Sequence, residues 1–230
     1  MQKRILRTPN DLNAEEIRRI YASFDLPITE IDCGQKCAPH NPSRKPFCCD
    51  ICEAVPAAYE SEWKTVKSSS ELWHRFRGDE CESTQLDDAE MPEGMIALAC
   101  LGPQACEREN RLISCRQFPF FPYVSDDYEF LGLAYDADFE EKCWVISNLD
   151  QVTDAYREQF VATFDKIFAL FQDEFDGYAL RSEELREAFA AKQRELPILL
   201  RDGGFGMVDP VNEGIRPVEA NQLPGFGVYR

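Results

Sequence analysis

No apolar run in the 230 residues approaches the roughly 18 needed to cross a membrane, and the opening "MQKRILRTPNDLNAEE" turns polar before a signal-peptide core could form. These absences argue against a membrane protein and predict a cytoplasmic one. A basic footprint is missing too. With 25 Lys and Arg against 42 Asp and Glu, the formal net charge is -17, whereas a nucleic-acid binder draws its affinity from neutralised phosphates. Nucleic acid is therefore excluded as a partner. Histidine is scarce: His40 and His74 are the two present, and neither is tied to a cysteine by a nucleophile signature. "GGFG" at 203–206 is not followed by a helix with a Lys-Ser/Thr pair, so no Walker-type or dinucleotide loop is present. Internal repeats and long low-complexity linkers are also lacking.

What the chain has instead is cysteine, ten in all. Disulfide frameworks belong mainly to small secreted domains short of core, and 44% apolar content is enough to build a core without them. Metal ligation is the better account of cytosolic thiols. The spacing runs C-x3-C-x10-C-C-x2-C from Cys33 to Cys52, then C-x5-C-x8-C from Cys100 to Cys115. Closely spaced ligands lose less chain entropy on coordination than scattered ones, and zinc or iron takes about four thiolates.

The candidate ligands are thus Cys33, Cys37, Cys48, Cys49, Cys52, Cys100, Cys106 and Cys115, expected to converge as two halves of one site. Eight thiols exceed a mononuclear zinc site; they fit two metals, or one iron-sulfur cluster with thiols to spare. Side chains of the adjacent Cys48 and Cys49 diverge, so in a one-metal site one of them points elsewhere.

Four thiolates around a divalent ion leave a charge of about -2, which needs backbone N–H groups and cations nearby. Lys36, Lys45 and Arg116 are the candidates, with Arg116, next to Cys115, the cofactor-binding residue. Cys81 and Cys143 stand alone and read as small buried hydrophobes. His40 lies inside the front group but reads as solvent-facing; His74, beside Trp73 and Phe76, reads as packed.

Along the chain, Asn13 and Glu16 open an amphipathic helix, with Ile17, Ile20, Tyr21 and Phe24 at helical spacing, that stops before Pro27. Residues 28–53 read as an irregular loop with little apolar content, dependent on bound metal. "VPAAYESEWKTVK" places Pro56 at a helix start, and "SSSELWHRF" resembles a short capped helix. "MIALAC" (95–100) and "YEFLGLAY" (128–135) read as strands, and "KCWVI" (142–146) as a third. Val152, Tyr156, Phe160, Phe164, Ile167, Phe168, Phe171 and Phe175 predict a long helix over 151–175, its aromatic stripe serving as core. A further helix runs from Ser182 to about Leu196 and breaks at Pro197; the Gly- and Pro-rich tail beyond it is expected to dock in extended form.

At "CLGPQACERENRLISCRQFPF" the sequence resembles the YkgJ-type cysteine-cluster proteins, a zinc- or iron-chelating family. Cys100, Cys106, Arg111, Cys115, Arg116, Phe118, Pro119 and Phe120 match the C-terminal piece of its motif, and Cys33, Cys37, Cys48 and Cys49 its front group. Leu112 replaces the family's proline, Cys52 is extra, and ten residues separate Cys37 from Cys48. The resemblance covers about residues 28–124 and implies metal chelation. A fainter similarity to the cysteine-rich part of flagellin lysine methylases implies an enzyme.

These readings together predict an α+β chain: an irregular cysteine-rich metal-binding core with short strands over 1–150, and long amphipathic helices with an extended tail over 151–230. The expected function is chelation of zinc or iron, with iron as an iron-sulfur cluster among the forms. The alternatives are an iron-sulfur enzyme of redox or methyl-transfer activity, and an acidic adaptor with a structural zinc site that holds a basic protein partner through the acidic stretches 79–93 and 125–141.

Overall fold

Asn13 begins the first long element: its Oδ1 accepts from the backbone N–H of Glu15 and Glu16, and Glu16 returns a carboxylate to the Asn13 N–H at 2.9 Å. This reciprocal cap starts helix α1 (Ala14–Ser23), which buries Ile17 and Tyr21 and ends before Pro27, as its pattern predicts. The computed structural model describes residues 7–81, 91 and 94–229; most of the acidic stretch 79–93 lies outside the described residues. The architecture is α+β with two separate antiparallel sheets.

The chain divides into two units, Met1–Asp25 with Gly34–Gln117, and Leu26–Cys33 with Phe118–Arg230. The division expected near residue 150 is therefore displaced. Residues 118–150 belong with the C-terminal part because β4 and β5 join its sheet.

In the first unit the middle strand is β3 (Met95–Cys100), flanked by β1 (Ala57–Tyr59) and β2 (Trp73–Arg75). Ile96, Ala97, Leu98 and Ala99 are all buried, which suits a strand paired on both edges. Two expectations fail here. Pro56 precedes a strand, not a helix, and α3 starts only at Glu60 (Glu60–Lys67). The segment read as a capped helix is β2, with Trp73 opposite Cys100. Both strands are too short to show a period, and pairing with the distant β3 decides their conformation. Helices α2 (Gly34–Cys37) and α4 (Ile113–Gln117) are single turns that carry cysteines.

The second unit is a five-stranded meander of β4 (Phe120–Val124), β5 (Phe130–Tyr135), β6 (Leu196–Leu200), β7 (Phe205–Val208) and β8 (Ile215–Val218). Gly132 pairs with Leu200 where β5 runs beside β6: its φ is +157°, and a Cβ there would meet the Leu199 carbonyl oxygen at 2.0 Å. Helix α5 (Asp154–Leu170) starts at Thr153, whose Oγ1 accepts from the Tyr156 N–H, and buries Tyr156, Phe160 and Phe164 as its stripe predicts.

The helix expected to continue to 175 instead breaks at the extended Phe171, and α6 (Gln172–Ala191) takes over. Phe164 and Phe168 meet Tyr178 edge-to-face across that break, so one aromatic row serves two helices. Helix α6 seats on β4 through Ser182, which accepts from the Val124 N–H, and Arg186, which donates to the Val124 carbonyl. Pro197 lies inside β6, and the tail expected to dock supplies β7 and β8. "KCWVI" is a turn, not a strand: the Cys143 N–H donates to the Phe139 carbonyl at 2.8 Å, and Val145 and Ile146 fill the core.

Candidate functional site

Strand β3 ends in Cys100, and Gly102, at φ +96°, turns the chain back into two short 3-10 turns, Pro103–Ala105 and Arg108–Asn110, with Cys106 between them. Trp73 Nε1 donates to the Asn110 carbonyl at 2.8 Å, pinning this return to β2. Cys115 follows on α4, whose first N–H, from Ile113, donates to Glu62 Oε1 at 2.7 Å. Glu62 on α3 is fully buried and also accepts from the Tyr21 hydroxyl at 2.7 Å. Burial raises its pKa, against the opposing effects of those two donors and the Arg116 charge. Three elements, α1, α3 and α4, are thereby held around one carboxyl, and α4 carries Cys115.

Four thiols from both sequence groups lie in this unit. Cys100 has Cys49, Cys106 and Cys115 within electrostatic reach, and Cys49, Cys106 and Cys115 lie within electrostatic reach of the Arg111 guanidinium. Arg111 Nε donates to Cys106 Sγ at 3.1 Å. Burial works against the Arg111 charge, yet the Cys106 contact and the nearby Cys49 and Cys115 sulfurs raise its pKa above the ordinary value. For Cys115 burial pushes the thiol well up, reinforced by Cys100, Cys49 and Glu62. For Cys100 burial again leads, opposed by a backbone hydrogen bond from Gly102 and reinforced by Cys49 and Cys106.

For Cys100 and Cys115, burial and then neighbouring sulfurs disfavour the thiolate. In kind, the set suits a thiophilic ion beside a compensating cation. In position, among the described residues no three His, Cys, Asp or Glu side chains are arranged to hold a metal ion.

The front loop carries a hydrogen-bonded frame around Asp50. Asp50, nearly buried, accepts from Asn41 Nδ2 at 3.1 Å, Ser43 Oγ at 2.6 Å and the Cys52 N–H at 3.2 Å. Burial pushes its carboxyl up, but the hydrogen bonds from Ser43, Cys52 and Asn41, with the Lys45 charge, outweigh it and leave the pKa lowered. Cys48 is exposed, and its Sγ lies 3.9 Å from Cys49 Sγ, close enough for a sulfur hydrogen bond, so the adjacent side chains do not diverge as expected. Cys37 is buried, and its thiol donates to the Gly34 carbonyl at 3.6 Å.

Three sequence expectations need correction or relocation. Cys52 is no free ligand: it forms a disulfide with Cys81, 29 residues on, so Cys81 is not an isolated hydrophobe either. Arg116 is engaged mainly with backbone carbonyls. Its guanidinium is buried against Tyr21 and donates to the carbonyls of Tyr21, Phe24, Arg108, Glu109 and Arg111 and to Asp25, a full set of acceptors.

Cys33 belongs to the other unit, where Thr29 bridges to Val152 and the Cys33 sulfur lies within reach of the Tyr156 hydroxyl. Lys36 is exposed, and Lys45 acts on Asp50. His40 is exposed as expected, while His74 Nε2 pairs with Glu80 at 3.0 Å.

Sequence reasoning missed the roles of Arg111, Asp50 and Glu62. Arg111 lies in the stretch C-x5-C-x8-C, where the sequence points to Arg116 for the compensating charge; Asp50 lies inside C-D-I-C, a detectable signal, and Glu62 leaves none. No helix among the described residues is long and apolar enough to cross a membrane. Comparison of the chain with family models, curated proteins and solved structures finds no match.

Proposed function

We propose that this chain binds a thiophilic metal, zinc or iron, through Cys49, Cys100, Cys106 and Cys115, with Arg111 offsetting part of the thiolate charge. The observation that supports it most is the gathering of four thiols from separated segments around one guanidinium. A buried cysteine on its own is a small hydrophobe; Cys100 and Cys115, pushed up by burial and further by neighbouring sulfurs, conflict with those sulfurs once ionised, and a bound cation relieves that conflict. Because among the described residues no three side chains are arranged to hold an ion, capture requires the thiol side chains to draw together around it. Thiolates are the form that ligates, so loading releases protons.

Metal analysis with an absorption spectrum of anaerobically purified protein tests the reading. Colourless protein with stoichiometric zinc supports a zinc site, and brown protein with iron and sulfide supports an iron-sulfur cluster, the form an enzymatic role would need. Protein without either metal, and with no uptake of either when reduced, contradicts the proposal.

A further inference from the structure

Among the eight cysteines expected as ligands, Cys52 alone has its sulfur bonded elsewhere. We propose that the Cys52–Cys81 disulfide is a redox gate on the thiol site: closed, it withholds Cys52, and its reduction adds Cys52 to Cys49 as a C-x2-C chelating pair. The inference rests on the metal-binding reading and adds its regulation.

Three observations carry it. Cys49-Asp50-Ile51-Cys52 has the spacing by which one turn offers two thiolates to one ion, and Cys49 already belongs to the four-thiol group. The bond is accessible from one side, for Cys52 is partly exposed while Cys81 is buried. Both ends are also held by hydrogen bonds that do not involve the disulfide. On the Cys52 side, Asp50 accepts the Cys52 N–H, and the Glu53 and Ala54 N–H groups donate to the Asp50 carbonyl at 2.9 Å. On the Cys81 side, Glu80 pairs with His74 and accepts the Arg77 N–H at 3.0 Å. Opening the bond therefore frees a sulfur without freeing the segments that carry it.

The reductant is a low-molecular-weight thiol. Its thiolate attacks Cys52 Sγ, forming a mixed disulfide and expelling the Cys81 thiolate, which takes up a proton. A second thiol attacks the outer sulfur, leaving Cys52 as a thiol and the two small molecules joined as their own disulfide. One disulfide is reduced and two thiols are oxidised, a two-electron exchange that runs backward when the small disulfide is in excess.

The test is cysteine alkylation with peptide mapping on the full chain, using zinc as the probe. In air-prepared protein Cys52 and Cys81 are expected to resist alkylation. After reduction with dithiothreitol and its anaerobic removal, both label, and added zinc then protects Cys52 together with Cys49 while Cys81 still labels. Cys81→Ser should show zinc protection of Cys52 without any reduction; if that variant does not fold, the wild-type pair decides alone. Equal labelling of reduced Cys52 with and without zinc, while Cys49, Cys100, Cys106 and Cys115 are protected, overturns the gate and leaves the metal site standing. Free Cys52 in air-prepared protein overturns the gate as well. Protection of no cysteine at all overturns both.

Discussion

Arg111 and Arg116 stand five residues apart and direct their guanidinium groups to different tasks, one to a sulfur and one to backbone carbonyls. Replacing Arg116 by Ala strands several buried carbonyls and Asp25, and is expected to cost about 3 to 5 kcal/mol in urea unfolding. Arg111→Met should change stability far less and weaken metal binding about 10- to 100-fold in a chelator competition, the scale of losing an outer partner of a metal site. Equal losses of stability in the two variants would contradict this division of roles.

Asp50 carries a pH signature. Its folded pKa is lowered, so its contribution is present above the unfolded value of about 4 and is lost as pH falls through the folded value. Amide exchange around 41–54 should therefore quicken below about pH 4 in the wild type. In Asp50→Asn that step disappears, because nothing titrates there. The positions of the thiols were legible in the sequence, but their pairing was not. Cys81 lies 29 residues from Cys52, and adjacency to Cys115 says nothing of where Arg116 points, since neighbours on a helix diverge by about 100°.

Gly132 shows how much one backbone approach carries among the elements. Gly132→Ala forces a Cβ into the Leu199 carbonyl and is expected to lower stability by about 2 to 4 kcal/mol, or to abolish folding of the β4–β8 sheet. A denaturation midpoint equal to wild type would contradict the β5–β6 register. Cys143→Ala, in a partly buried turn, should cost at most about 1 to 2 kcal/mol and leave metal content intact. Helices α1 and α5 were legible because each repeats its apolar residues over several turns. The break at Phe171 was not, since the aromatic spacing runs straight through it and the rings of α6 continue the row. β1 and β2 were hidden by their length, and β4 by being buried on both faces, which erases the alternation that marks a strand.

At the scale of the molecule, the four-thiol group lies wholly in the unit formed by Met1–Asp25 and Gly34–Gln117. Metal added to reduced protein should slow amide exchange at 47–53 and 100–117 and leave the strands of the other unit, 120–218, unchanged. Uniform slowing over both units would point to a general effect of the ion and not to this site. The most direct measurement is X-ray absorption fine structure at the metal edge on reduced protein loaded with one ion per chain. The account predicts an inner shell of sulfur at about 2.3 Å, reduced in sulfur count by Cys115→Ser and unchanged by Cys143→Ala. A shell of oxygen and nitrogen, or a sulfur count indifferent to Cys115→Ser, would contradict it.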